Sequence, residues 1–412
     1  MKKVRIDWNN VQETWSPIRF LSAGTLNPDL LQAVDKHYPE PEILRVVLDV
    51  TAPESGLEFL TAVSWHGYDV LLCLEGGYCD SADAYEEKIL PILWEATERC
   101  PNIAYLEIGS ETLKQGLSDA DYYQCYRGAY HALDKVNHEI QLGGNGVDCP
   151  LHRAHSWLSF LQNLAADTDP LKRIDFYSFH MPLREYPVSI WLAHEAHIAW
   201  LKELGLPTLP IFLSSLYQTP EDETEEGNPL ENAATMLTAA IAATEWPEFK
   251  LFFKSVLDKA AAHTQFNPDF TCTPNAHAQR MLAGLEGERL CCDIIEESWP
   301  PQKDIVATKK DGKLQVLVLN PTKEPTYIKF TVADIPYKML KIHQYLVDDR
   351  HNADGKALTL TDGRHQEPKK IKNSENVEML GGHDTREELD GTVTIECNLR
   401  EHGFCLYTFE EY

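Results

Sequence analysis

Two glutamates and a serine stand where apolar runs end. Glu111 follows IAYLEIGS (103–110), Glu75 closes YDVLLCLE (68–75), and Ser215 closes TLPIFLSS (208–215). A carboxyl held at the partly apolar end of a buried strand has its pKa raised toward the range in which it can donate a proton. Two carboxyls facing each other across a sugar-sized gap can do more: one protonates a leaving oxygen while the other attacks carbon or activates water, which cleaves a glycosidic bond. Glu111 is the candidate acid. Glu75 is the candidate second group, working through a water if the two lie about 6.5–9.5 Å apart. The plainer readings are a capping or exposed glutamate for Glu111 and a solvated or sugar-contacting loop glutamate for Glu75.

Other polar residues share this placement. Arg45 sits in ILRVVLDV (43–50), Asn145 in IQLGGNG (140–146), His180 in RIDFYSFH (173–180) and Lys254 in FKLFFKSVL (249–257). A guanidinium inside an apolar strand requires an anionic or hydrogen-bonding partner, with Glu111 or the carboxylate of an acidic sugar as candidates. His180 reads as a sugar or carboxylate contact, against a satisfied core histidine. Tyr217, Tyr78, Tyr186 and Trp191 could stack on pyranose faces, although most aromatics in such a chain simply pack. Glu221 opens the charge run EDETEE (221–226), which as a rule is a solvated loop. His194 and His197 are three apart on a helical pattern, but no acidic ligand framework accompanies them, and no metal is expected.

The elements that must position these groups repeat. IRFLSAG (18–24) precedes the seven tracts 43–50, 68–75, 103–110, 140–146, 173–180, 208–215 and 249–257, and amphipathic stretches such as DADYYQCYRGAYHALDKV separate them. Apolar strands alternating with helices over this length predict a (β/α)₈ TIM barrel, whose chemistry sits at the C-terminal ends of its strands. The barrel is expected over 15–289. Beyond it the rhythm turns to short alternating strands, with Asp311-Gly312 as a hairpin signal, so 290–412 is expected to be an all-β sandwich that residues 1–14 join with one more strand. The polar stretch 365–391 reads as a surface loop.

The chain has 412 residues, enough for one large α/β domain and a smaller one, and 43% hydrophobic content supports substantial cores. Its 37 Lys and Arg against 64 Asp and Glu give a net charge of −27. Such a field repels phosphate backbones and anionic lipid, which argues against nucleic acid and membrane surfaces as partners. The start, MKKVRIDWNN, lacks the apolar run of a secretory signal, and no stretch has the roughly 20 apolar residues of a membrane span. Ten cysteines are scattered at spacings that fit neither a zinc cluster nor a disulfide scaffold, so a cytoplasmic setting is expected.

Several tracts resemble the β-xylosidase-type glycoside hydrolases of family 39, clan A barrels that carry a β-sandwich. They are FLSAGT (20–25), ILRVVL (43–48), YLEIGSETL (105–113), IDFYSFH (174–180), PNAHAQRMLAGLEGERL (274–290) and, within the sandwich, YLVDDRHNADG (345–355). The resemblance spans nearly the whole chain. It implies that Glu111 holds the acid/base position, that Arg45 matches the arginine supporting the nucleophile's carboxylate, and that His180 lies near the sugar. The family pattern has tryptophan and asparagine before the acid/base and proline after it, where this chain has Gly109, Ser110 and Thr112. That asparagine binds the sugar 2-hydroxyl, a contact the shorter Ser110 replaces only in part. The nucleophile's position falls on Ser215, and no Asp or Glu lies between Gly205 and Pro220. A serine cannot stabilise an oxocarbenium-like centre by charge. The expectation is therefore a carbohydrate-active protein of the glycoside hydrolase class, acting on a small oligosaccharide or glycoside by an altered mechanism and without a cofactor. The alternative is a catalytically inactive, glycosidase-like sugar-binding or assembly protein. The resemblance also implies that homo-oligomers are common in the family.

Overall fold

The computed structural model describes residues 2–15, 18–23, 26–38, 41–109, 117–148, 154–183, 188–218, 228–244, 246, 248–253, 264–267, 270–294, 304–337, 340–350, 359–360, 369–370, 383–385 and 391–411. In chain order the elements begin with β1 (Lys2–Trp15), β2 (Phe20–Ala23), α1 (Asp29–His37), β3 (Ile43–Asp49), α2 (Glu54–Ser64), β4 (Asp69–Glu75), α3 (Ala82–Arg99) and β5 (Ile103–Ile108). Next come α4 (Asp119–Val136), β6 (Gln141–Asp148), α5 (Ala154–Ala166), β7 (Phe176–Leu183), α6 (Val188–Leu204), β8 (Ile211–Gln218), α7 (Pro229–Ala243), β9 (Phe249–Phe253) and α8 (Pro274–Gly284). The remainder is all strand: β10 (Gly287–Ile294), β11 (Ile305–Lys310), β12 (Lys313–Leu319), β13 (Thr326–Ala333), β14 (Leu340–Val347), β15 (Thr359–Leu360), β16 (Lys369–Lys370), β17 (His383–Thr385), β18 (Val393–Leu399) and β19 (Phe404–Glu411).

The chain divides into two compact units, one of Arg19–Glu221 and Trp246–Asp258, the other of Met1–Ile18, Asp222–Glu245 and Lys259–Tyr412. In the first, an eight-stranded sheet runs β2-β3-β4-β5-β6-β7-β8-β9, each neighbouring pair parallel. β9 comes back beside β2, where the rings of Phe20 and Phe252 lie 5.3 Å apart. This is the expected (β/α)₈ barrel. Each apolar tract forms its strand, because strands buried on both faces need continuous apolar runs.

Local chemistry sets where the helices start. Ser81 caps α3 by accepting from Ala84 N, and Ser118 caps α4 by accepting from Asp121 N at 3.1 Å. α5 and α6 are joined through Trp157 Nε1, which donates to His197 Nδ1 at 3.1 Å. His194 Nε2 pairs with Glu248 at 2.6 Å and stacks on Trp246. Both histidines of that helical pattern are thus engaged in packing. No helix among the described residues is long and apolar enough to cross a membrane.

β7 and β8 end later than their apolar tracts, so His180 and Ser215 lie inside strands rather than closing them. The reason is an irregularity in the ladder: Phe179 pairs with Leu213 and His180 with Ser215, leaving Ser214 as an extra residue in β8. Such a bulge re-aims side chains without ending the strand.

In the second unit nine strands form one sheet, ordered β17-β14-β19-β12-β11-β10-β1-β13-β18. β1 joins it antiparallel to β10 and parallel to β13. β11 and β12 are connected through Asp311 and Gly312, both at positive φ (48° and 78°), the conformation a two-residue hairpin turn demands. Val4, Ile6, Leu314, Val316, Phe330 and Tyr407 contribute to its core. Most of the polar stretch 365–391 lies outside the described residues.

Candidate active site

β3 carries Arg45 and β5 carries Glu107, each embedded in apolar sequence. Arg45 Nε donates to Glu107 Oε2 at 2.8 Å. The other oxygen, Oε1, accepts from Ser214 Oγ at 2.7 Å, and Arg45 Nη2 donates to Cys73 Sγ at 3.3 Å. These contacts reach from β3 across β4 and β5 to β8, so the groups occupy the barrel interior. Glu107 is 0% exposed and Arg45 4%. A carboxylate and a guanidinium stripped of water must satisfy each other, and the bulge at Ser214 supplies one more donor.

The electrostatics follow from that geometry. Burial pulls the Arg45 pKa down, but the Glu107 charge and hydrogen bond, together with Cys73 and Glu75, outweigh it and leave the pKa raised. Burial pushes the Glu107 carboxyl up. The charges of Arg45 and His180 and the hydroxyls of Ser214 and Ser178 outweigh that, and hold it below the usual glutamate range. The pair is therefore ionised on both sides. Glu107 is locked as an anion and has no proton to give at neutral pH.

Above this pair the mouth is shaped by close backbone contacts. Gly109 N donates to Leu74 O at 2.8 Å, and Tyr122 Oη of α4 donates to Ile108 O at 2.7 Å. Gly146, at φ 54°, sits at a bulge in β6 between Asn145 and Val147. A Cβ there would stand 1.6 Å from the Gly109 carbonyl oxygen, so only glycine permits the approach. These contacts fix the point at which the chain leaves β5 for the segment containing Ser110 and Glu111.

The candidate residues fall into two groups. Arg45, Asn145, His180 and Ser215 are buried in strands of the barrel, at 4%, 1%, 8% and 7% exposure. His180 and Ser215 are register partners on neighbouring strands, and Asn145 pairs with Ser178. Among the described residues Asn145 Nδ2 finds no acceptor. Glu75 ends β4 half-buried and lies within electrostatic reach of Arg45. Ser110, Glu111, Tyr186, Glu221 and Lys254, and the side chain of Tyr217, lie outside the described residues.

Arg45 was expected to face Glu111 or a sugar carboxylate, whereas its partner is Glu107. Sequence reasoning passed over Glu107, Ser214 and Cys73. The signal for Glu107 was present: a glutamate within IAYLEI and an arginine within ILRVVL are opposite charges in two buried strands of one barrel, and each needs the other. Ser214 left no comparable trace, because its inward turn depends on the bulge.

No protein-family model matches the chain, and no curated protein matches it by sequence. Solved structures do. A glucosidase from Croceicoccus marinus superposes with a TM-score of 0.75 at 15% identity, over 100% of this chain and 99% of the other. A GH39 enzyme from Xanthomonas axonopodis pv. citri gives 0.73 at 13% identity, covering 100% and 97%. A monomeric β-xylosidase from Caulobacter crescentus gives 0.69 at 12% identity, covering 100% of both chains. At such identities the likeness carries the fold alone, and that fold is a (β/α)₈ barrel with an accompanying β-domain, like that of these GH39 enzymes.

Proposed function

We propose that the protein is carbohydrate-active, of the glycoside hydrolase class, and takes a small neutral glycoside or oligosaccharide at the C-terminal mouth of its barrel. Glu111 is the acid/base residue of this reading, Ser215 occupies the nucleophile's position without its charge, and Glu75 is the substitute carboxylate. His180, Asn145, Ser110 and Tyr217 line the sugar site, and the setting is the cytoplasm. One observation carries the choice of a neutral sugar: the Arg45 guanidinium is paired with Glu107 at 2.8 Å, so its charge is already balanced and none is left over for a uronate. The glucosidase, β-xylosidase and α-L-iduronidase-like neighbours support the glycoside hydrolase class and leave the choice between a neutral sugar and a uronide to the Arg45 pairing.

The same pair favours a second reading. An arginine already neutralised by Glu107 has no unmet charge that would demand a carboxylate at Ser215, so the frame is stable without a nucleophile. In that reading the mouth binds glycosides and does not turn them over.

A panel of glucosides, xylosides, galactosides, arabinosides and uronides, with wild type and Glu111→Gln compared, separates the outcomes. Hydrolysis of neutral glycosides lost in Glu111→Gln establishes an enzyme, and the product anomer then identifies inversion through Glu75. Saturable binding of neutral glycosides by both proteins without hydrolysis establishes the binding protein. Absence of binding and hydrolysis alike, or preference for uronides, overturns the proposal.

A further inference from the structure

The loop between β4 and α3 carries a contact that the glycoside reading leaves unused. Cys125 on α4 bonds to both backbone groups of Cys79: Cys79 N donates to Cys125 Sγ at 3.3 Å, and Cys125 Sγ donates to Cys79 O at 3.2 Å. Cys79 Sγ turns toward Gly77 O at 3.4 Å. Cys125 is buried and Cys79 half-buried, so Cys79 is the more accessible residue of this neighbouring pair.

The rest of the loop is already held. Lys88 Nζ donates to Gly77 O at 2.6 Å, and the Tyr78 ring stacks on Tyr85 with centroids 6.2 Å apart. Gly76 and Gly77 adopt positive φ (81° and 64°), and a Cβ on Gly77 would stand 2.5 Å from Val50 Cγ1. These contacts hold the loop to α3 and to the end of β3, and the Cys125 bonds hold Cys79 to α4. The Cys125 sulfur thus lies within 3.3 Å of the Cys79 backbone, and a disulfide requires the two Cβ atoms to come to about 3.5–4.5 Å.

We infer that Cys79 and Cys125 form a reversible thiol–disulfide pair, a modification site that takes a peroxide-class oxidant and clamps the loop behind Glu75 to α4. Cys79 is the attacking thiol. As thiolate it displaces hydroxide from the peroxide O–O bond, giving a sulfenic acid, and the hydroxide leaves as water after taking up a proton. Cys125 sulfur then attacks the Cys79 sulfur. The S–S bond forms, the S–O bond breaks, and the departing hydroxyl takes the Cys125 proton to leave as a second water. The two cysteines lose two electrons in all and the peroxide gains them. Burial pushes the Cys125 thiol up to about 11, so its attack is slow for a free thiol and depends on its closeness to Cys79. Cys397 and Cys405 are also neighbours, in the other unit, but both are buried. Access to oxidant separates the two pairs.

The test is covalent and independent of any sugar. Reduced full-length protein is treated with hydrogen peroxide, blocked with N-ethylmaleimide and digested without reductant for mass spectrometry. The expected result is a linked peptide pair joining Cys79 to Cys125, two hydrogens lighter than the separate peptides and abolished by dithiothreitol. Cys125→Ser should leave a Cys79 sulfenic acid that dimedone traps. Amide exchange over residues 76–81 should slow at least about threefold on oxidation in wild type and remain unchanged in Cys79→Ser. Wild-type protein in which Cys125 is fully alkylated after peroxide treatment, or in which Cys79 proceeds to sulfinic acid with Cys125 still free, overturns the inference. That outcome needs no variant and leaves the glycoside reading untouched.

Discussion

Arg45 and Glu107 lie on strands separated by β4, and Arg45 Nε reaches Glu107 Oε2 at 2.8 Å inside the barrel, where Glu107 has no exposed surface. The pair occupies the interior directly beneath the mouth. It decides which charges the site above can still use.

Removing one partner should be far worse than removing both. Glu107→Gln leaves a buried guanidinium uncompensated and should cost about 3–5 kcal/mol of stability, read as a lower urea midpoint. An Arg45→Met, Glu107→Leu double variant should recover most of that loss. Ser214→Ala, which deletes one hydrogen bond to the carboxylate, should cost about 1.5–3 kcal/mol. A double variant as unstable as Glu107→Gln would refute this account of the pair.

His197 predicts a pH dependence. Its ring accepts from Trp157 through Nδ1, and burial, with His194 nearby, lowers its pKa from 6.5 to about 3. The unfolded chain binds the proton first, so between these values the unfolded state holds more protons and stability rises with pH. This contribution is complete above about pH 6.5 and is lost as pH falls toward about 3, on the order of 5 kcal/mol in all. His197→Phe should flatten that part of the stability profile, measured as unfolding midpoint against pH.

Gly146 predicts an intolerance at the mouth. Gly146→Ala places a methyl group 1.6 Å from the Gly109 carbonyl oxygen at a positive φ, so β5 and β6 must separate where the chain leads to Glu111. A loss of about 3 kcal/mol or more is expected, with the proposed glycoside binding at the mouth weakened in parallel. Wild-type stability in the variant would show that the bulge is not needed.

The roles at the mouth are separable by substitution. If glycosides are hydrolysed, Glu111→Gln should lower kcat by about 10²-fold or more, because it removes general acid catalysis. Ser215→Ala should change kcat by less than about threefold, because an uncharged hydroxyl supplies no comparable stabilisation. A large loss in Ser215→Ala would assign the serine a catalytic part after all.

The barrel was legible because its evidence is local. Eight apolar tracts at regular spacing can be buried only as parallel strands covered by helices, and each of them forms a strand of the sheet. The Asp311-Gly312 turn was legible for the same reason, since two adjacent positive φ values select for those residues. The extent of β7 and β8 was not. A bulge is set by how two strands align, and the extra residue at Ser214 changes which side chains face inward without changing any local preference.

By itself the sequence determined the order of elements, the serine at position 215 and the charges embedded at 45 and 107, because each depends on residue type and spacing. Only the tertiary structure decided how those charges are spent. Pairing Arg45 with Glu107, turning Ser214 toward the same carboxylate and pressing Cys79 onto Cys125 each join residues far apart in the chain, 62, 107 and 46 positions respectively. Such contacts follow from strand register and from the cost of burying an unsatisfied charge, and neither can be read until the barrel is assembled.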